Sequence, residues 1–258
     1  APHGVKVAEV IPREFEKKGY IITNKLSKAI VNAADYNVPQ NRKRIIMLGV
    51  RKLSFSEKDI QEMLNDFYLN ILPSHKGQKV ISVKEAIGGL PTLKPYWDEE
   101  HHSKKVSHST PVCDITWHEP RYNNLRDMDT FRLLAEDLES GNPTFDSKKI
   151  AKLYEEKVGS KSPIHRYHVL NPNQPSTTII AHLHKDGNRF IHYDSKQART
   201  ITPREAGLLQ SFDIDFPFIG ARGHVYEMIG NAVPPKLAKA LAESVVEFLK
   251  KYKPEKYA

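Results

Sequence analysis

At 258 residues the chain is long enough for one large or two small domains that bury a core without disulfides. Its composition, 39% hydrophobic and 27% charged with no apolar run near ~18 residues, excludes a membrane-spanning helix; a single cysteine, Cys113, excludes an internal disulfide and every multi-cysteine zinc site. The net charge of +8 is uneven, because residues 1–60 carry twelve Lys and Arg against six acids, which suits either an anionic partner such as nucleic acid or a solvated face.

The first ten residues show neither a signal-peptide core nor an Arg-rich transit pattern, so the chain is expected to be cytoplasmic or a piece whose start lies elsewhere. Glu9 to Lys18 reads as a helix closed by Gly19, followed by an extended stretch from Tyr20 to about Asn32. Ile45 to Val50 is an apolar run of buried-strand type. Ser56 with Asp59 starts a helix whose Ile60, Met63, Leu64 and Phe67 share a face and which should stop before Pro73. From about 70 to 198 the chain changes character, with short elements between long loops rich in Pro, His, Gly and Asn. Within it, Ser82 and Glu85 form a capping-box pattern ended by Gly88-Gly89, and Phe131, Leu134, Ala135 and Leu138 recur at helical spacing after Asp127. Thr178 to Leu183 and Arg189 to His192 read as short strands. Thr202-Pro203-Arg204-Glu205 combines an N-cap, a first-turn proline and an acid three residues after the cap. After Pro234-Pro235 comes an amphipathic helix with Leu237, Leu241, Ser244, Val245 and Phe248 on one stripe.

Three groups carry candidate chemistry. Gln40, Arg42 and Arg44 alternate before the Ile45 strand, so on an extended backbone they project from one face and offer planar donors to a base edge or phosphate; the other reading is a basic strand start in water. Ile229 to Pro235 is a tight polar turn feeding a proline-started helix, suited to bring backbone donors and the Asn231 amide to a ligand, or simply the start of a helix. The twelve histidines include His101-His102, His182 with His184, and His118 near Cys113; none has a matching second pair, so surface or core histidines and no metal site are expected.

Asn37 to Arg44, then Arg199 to Ala206 with Leu209-Gln210-Ser211-Phe212, then Ile229 to Pro235, resemble the eighth, ninth and tenth motifs of the DNA cytosine-5 methyltransferases, in that family's order. Arg166 to Leu170 and Pro175 to Ile179 resemble the end of its target-recognition region. The resemblance implies an α/β fold: the C-terminal part of a Rossmann-like methyltransferase domain plus an irregular small α+β target-recognition domain. It assigns 1–69 to the catalytic domain with the eighth motif, 70–225 to target recognition ending with the ninth, and 226–258 to the tenth motif and a helix returning to the catalytic domain. By similarity Arg44 orients a flipped cytosine while Gln40 and Arg42 brace the strand end and a nearby phosphate. Thr178 and Ile179 lie against the DNA, and Gly230, Asn231, Ala232 and Val233 border the S-adenosylmethionine pocket.

The family's Gly-rich loop, Pro-Cys nucleophile and Glu-Asn-Val segment do not occur in this sequence, and Cys113 in Thr110-Pro111-Val112-Cys113 is one residue off the Pro-Cys pattern. The resemblance therefore implies a cytoplasmic, nucleoid-associated portion of a methyltransferase, bound to double-stranded DNA and inactive without an N-terminal half that supplies those motifs. The final helix stripe is expected to pack on that half, and to drive self-association when alone. The alternative is a catalytically inactive, stand-alone DNA-binding module.

Overall fold

A computed structural model describes residues 7–53, 55–161, 167–185 and 187–252. In chain order these form α1 (Val7–Lys17), β1 (Tyr20–Ile21), β2 (Ile30–Asn32), β3 (Lys43–Ile45), β4 (Val50–Arg51), α2 (Glu57–Asp66), α3 (Leu72–Ser74), α4 (Val83–Ile87), α5 (Glu99–Ser103), α6 (Leu125–Glu139), α7 (Ser147–Val158), α8 (Pro203–Leu209), α9 (Arg222–Asn231) and α10 (Pro235–Lys251). They divide into two compact units, one within 1–37, 41–80 and 235–258, the other comprising 38–40 and 81–234.

In the first unit the strands form two separate antiparallel pairs, β1 with β4 and β2 with β3, the latter in the register Ile30↔Ile45 and Asn32↔Lys43. No parallel ladder joins these strands among the described residues, so the expected α/β architecture is represented here by helices and short antiparallel pairs. The extended stretch from Tyr20 is broken by a 3-10 turn at Leu26–Ala29. The Ile45–Val50 run is likewise no buried strand: Ile45 is 51% exposed beside its cross-strand partner Ile30 at 52%. Its backbone is diverted, because the Tyr68 hydroxyl donates to the Ile46 carbonyl at 2.9 Å and accepts from the Leu48 amide at 2.8 Å. The Leu48 amide has a single proton to donate, so none is left for a ladder.

The Ser56–Asp59 capping box forms with both of its bonds, and Ile60, Met63, Leu64 and Phe67 are all buried. The helix does not end before Pro73. A π turn at Phe67–Ile71 widens it and α3 continues through Pro73 to Ser74. Proline has no amide hydrogen to donate, and the wider turn relaxes the approach of its ring to the preceding carbonyls. Against this segment packs α10, with Phe248 edge-on to Phe67 at 5.7 Å. Leu237, Ser244 and Phe248 are buried, so much of the expected open stripe is covered by the chain's own residues. Leu241 and Val245 of the same stripe are half-buried. At the far end of α10, Lys251 and Tyr252 both donate to the Asp66 carboxylate at 2.9 Å.

The second unit holds two apolar clusters. The larger gathers Val83 and Ile87 of α4, Leu209 of α8, Val225 and Ile229 of α9, and the loop residues Leu170, Ile179 and Phe190; the smaller joins Phe131 and Leu134 of α6 to Leu153 of α7. The capping boxes of Ser82–Glu85 and Thr202–Glu205 both form, and α6 is capped by Asn124, three residues before Asp127. Thr178–Leu183 is not a strand, because the Ile179 amide is used by Gln40 and the Leu183 amide closes a 3-10 turn on the Ile180 carbonyl at 3.1 Å. In Arg189–His192 only Ile191 bridges, to Val169 and Thr200, since the Phe190 amide closes a turn on Gly187 at 2.8 Å.

Buried histidines fix the loops of this unit. Nε2 of His102 faces the Tyr96 carbonyl at 2.9 Å, that of His108 faces Gln197 at 2.7 Å, and that of His118 faces Pro91 at 2.8 Å. A carbonyl can only accept, so each of these nitrogens carries its proton. Among the described residues no three His, Cys, Asp or Glu side chains are placed to hold a metal ion. No described helix is long and apolar enough to cross a membrane.

Candidate functional site

Gln40 is fully buried in the second unit, with its side chain spent on three segments. Its Nε2 donates to the Leu209 carbonyl at 3.2 Å and to the Gln210 Oε1 at 2.8 Å, while its Oε1 accepts from the Ile179 amide at 2.9 Å. Gln210 in turn donates to the carbonyl of Ile229 at 2.6 Å and that of Ala232 at 3.4 Å. Two carboxamides therefore tie the end of α8, the Thr178–Ile179 segment and the end of α9 to one buried point. Only a side chain with both a donor and an acceptor on one plane can do this.

The expectation that Gln40, Arg42 and Arg44 share a face is corrected. Gln40 is bridged to Ser176, β3 starts only at Lys43, and the backbone between them is not a continuous strand. Gln40 is 0% exposed and Arg42 6%, so of the three only Arg44 is open to a ligand. Arg42 belongs with Asn32, whose side chain accepts from the Arg42 amide at 2.9 Å. Burial, reinforced by the charge of Arg44, lowers the Arg42 pKa from its ordinary value. The Arg44 Nη1 donates to the neighbouring Lys43 carbonyl at 2.8 Å, and the rest of the fork faces outward.

The four residues expected beside a cofactor separate by burial. Gly230 is buried, and a Cβ there would collide with the backbone of Ile180 and Ala181, so glycine is required by helix packing. Asn231 and Val233 are exposed and Ala232 is half-buried. Asn231 and Ala232 edge an open concavity of about 550 Å³ with His224, Glu227 and Met228. Its rim therefore carries an amide, an imidazole and a carboxylate beside the apolar Met228 and Ala232. Thr178 is half-buried on the edge of a separate cleft, and Ile179 is buried. Arg166 lies outside the described residues.

A buried ion pair supports this region. Arg199 and Glu205, each with its side chain 1% exposed, meet fork to fork with both contacts at 2.7 Å. Burial by itself raises the Glu205 pKa, and the Arg199 guanidinium outweighs it, holding the carboxyl well below the usual carboxylate range. Burial pushes His192 down to about 3, and the Asp194 amide donates to its Nδ1 at 3.1 Å. The ring is thus neutral at pH 7, with its Nε2–H facing the Glu205 carboxylate at 3.6 Å. The capping-box pattern announces the Glu205 bond to the Thr202 amide; neither Gln210 nor the Arg199 partnership has a local signal of its own.

The sequence profile described as C-5 cytosine-specific DNA methylase matches residues 2–247, and the chain belongs to that family. Among curated relatives, the type II methyltransferase M.Bpa9945I of Bacillus paralicheniformis is 28% identical over 264 residues, covering 95% of this chain and 57% of the relative. M.NgoFVII of Neisseria gonorrhoeae is 29% identical, covering 93% and 54%, and M.BbvI of Brevibacillus brevis is 29% identical, covering 90% and 50%. The chain spans about half the length of these relatives.

Proposed function

We propose that this chain is the target-recognition and cofactor-pocket-closing portion of a DNA cytosine-5 methyltransferase, which transfers a methyl group to carbon 5 of a flipped cytosine. The observation that carries the reading is the Gln40–Gln210 joint, which gathers the ends of the eighth, ninth and tenth motif segments and the Thr178–Ile179 dipeptide. Those segments lie far apart in sequence, and their ordered occurrence in a family member is accounted for by a common task. A base stacked in a duplex cannot be attacked at carbon 6, so it must be extruded and then surrounded by donors and a nucleophile.

On this reading Arg44 presents its fork to the flipped base, and Thr178 lies against the strand. Gln40 and Arg42 act as positioning residues, with Gln40 setting the ends of α8 and α9 from within the protein. Asn231, Ala232 and Val233 line one side of S-adenosylmethionine, which supplies the methyl group when bound. The nucleophile, the Gly-rich loop and the carboxylate that holds the ring nitrogen come from an N-terminal complement, since the sequence carries none of those motifs.

The test is transfer of labelled methyl groups to DNA by this chain alone and with the complement added. Transfer is expected only from the mixture. Formation of 5-methylcytosine by the pure chain would overturn the need for a complement, and DNA binding with no transfer from the mixture would favour an inactive binding module.

A further inference from the structure

A cleft of about 360 Å³ opens in the second unit where Thr177, Thr178 and Ile180 face the start of α7. Its size is at the small end of ligand clefts. Its lining combines the apolar Ile150, Ile180 and Phe190 with the hydroxyl-bearing Ser147, Tyr167, Thr177 and Thr178, and with Arg189 and His168. No acidic side chain among the described residues is in the lining. The state of Arg189 is unusual for this unit. Arg121, Arg126, Arg132, Arg199, Arg204 and Arg222 each donate to a carbonyl or carboxylate, whereas the exposed Arg189 has no hydrogen bond or ion pair among the described residues. A guanidinium in a cleft that also carries hydroxyl groups and apolar side chains matches a group with an anionic end and a flat or aliphatic body. Desolvation, and then the charge of Arg189, push the His168 imidazole below its ordinary value, so it is an uncharged hydrogen-bonding group at neutral pH.

We propose that this cleft is a nucleotide subsite for the DNA strand, in which Arg189 holds a backbone phosphate and His168 hydrogen-bonds the same nucleotide. The proposal rests on the reading of the chain as part of a DNA methyltransferase and adds two binding residues to it. Phosphate contacts release counterions, so each one adds about 0.9 to the slope of log affinity against log salt.

The test is binding of a mixed-sequence DNA duplex by the chain over a range of salt, for the wild type, Arg189→Ala, Arg189→Lys and, as a control on the outer face of α6, Arg132→Ala. Arg189→Ala should bind about tenfold more weakly at moderate salt, with a slope smaller by about 1, while Arg189→Lys keeps the slope and Arg132→Ala changes neither. His168→Ala should weaken binding with the slope intact. Unchanged affinity in Arg189→Ala, or weaker binding at an unchanged slope, would overturn the subsite while leaving the functional reading in place. Failure of the wild type to bind duplex DNA both alone and with the complement added would overturn both.

Discussion

Gln40 and Gln210 meet amide to amide at 2.8 Å although 170 residues separate them in sequence. Because Gln40 also accepts from the Ile179 amide and Gln210 donates into the end of α9, a change at either residue reaches the eighth, ninth and tenth motif segments and the Thr178–Ile179 dipeptide together.

Gln40→Ala removes the buried bond that its Oε1 accepts from the Ile179 amide and the two that its Nε2 donates, which costs about 1–3 kcal/mol of stability. Gln40→Glu should be worse at neutral pH, since a carboxylate still accepts from Ile179 but turns a second acceptor toward the Leu209 carbonyl. Urea unfolding of the two variants measures both effects; equal stability of Gln40→Glu and wild type would show that the joint tolerates a charge.

Arg44 and Arg42 should part company on mutation. Arg44 is exposed, so Arg44→Ala should shift stability by no more than about 0.5 kcal/mol. In an enzyme reconstituted with its complement, however, the same variant should lose at least ~10-fold in methyl transfer, as expected for removal of a charged hydrogen bond in a desolvated site. Arg42→Ala should lower the unfolding midpoint, because Arg42 is 6% exposed. Full turnover by reconstituted Arg44→Ala would remove Arg44 from the base-binding role.

Acid should weaken the second unit well above the carboxylate range. An unfolded imidazole gains its proton near 6.5, whereas burial holds His108 to about 4 and His192 to about 3. Between these values the unfolded chain binds more protons than the folded one, so stability rises with pH and is lost as pH falls through the window. His108 by itself accounts for a change on the order of 3 kcal/mol. His108→Gln, which keeps an amide donor for the Gln197 carbonyl, should flatten the profile between pH 6.5 and 4. A wild-type midpoint that stays level down to pH 4 would contradict this.

Gly230→Ala should be among the more damaging single-methyl changes in the chain. The new Cβ would meet the Ile180–Ala181 backbone, which cannot rotate away as a side chain can. An expected loss of about 1–3 kcal/mol, read by thermal unfolding, sets it apart from Ala232→Gly beside it, where the half-buried site has room to adjust.

The elements legible in the sequence are those whose bonds close within a few residues. The capping boxes at Ser56, Ser82 and Thr202 need an oxygen and an amide three positions apart, and the buried faces of α2 and α10 follow from a 3.6-residue period. Arg44 is singled out by its place in an ordered motif, and the fold leaves it exposed. What the tertiary structure decided is the fate of groups whose partners are distant in sequence. The Ile46 carbonyl and the Leu48 amide turn to the Tyr68 hydroxyl, Gln40 turns inward to Gln210, and Arg199 closes on Glu205. In each case a buried polar group must find a partner wherever the packing supplies one. Residue pattern along the chain sets which groups must be satisfied, and only the packed fold determines by which atoms.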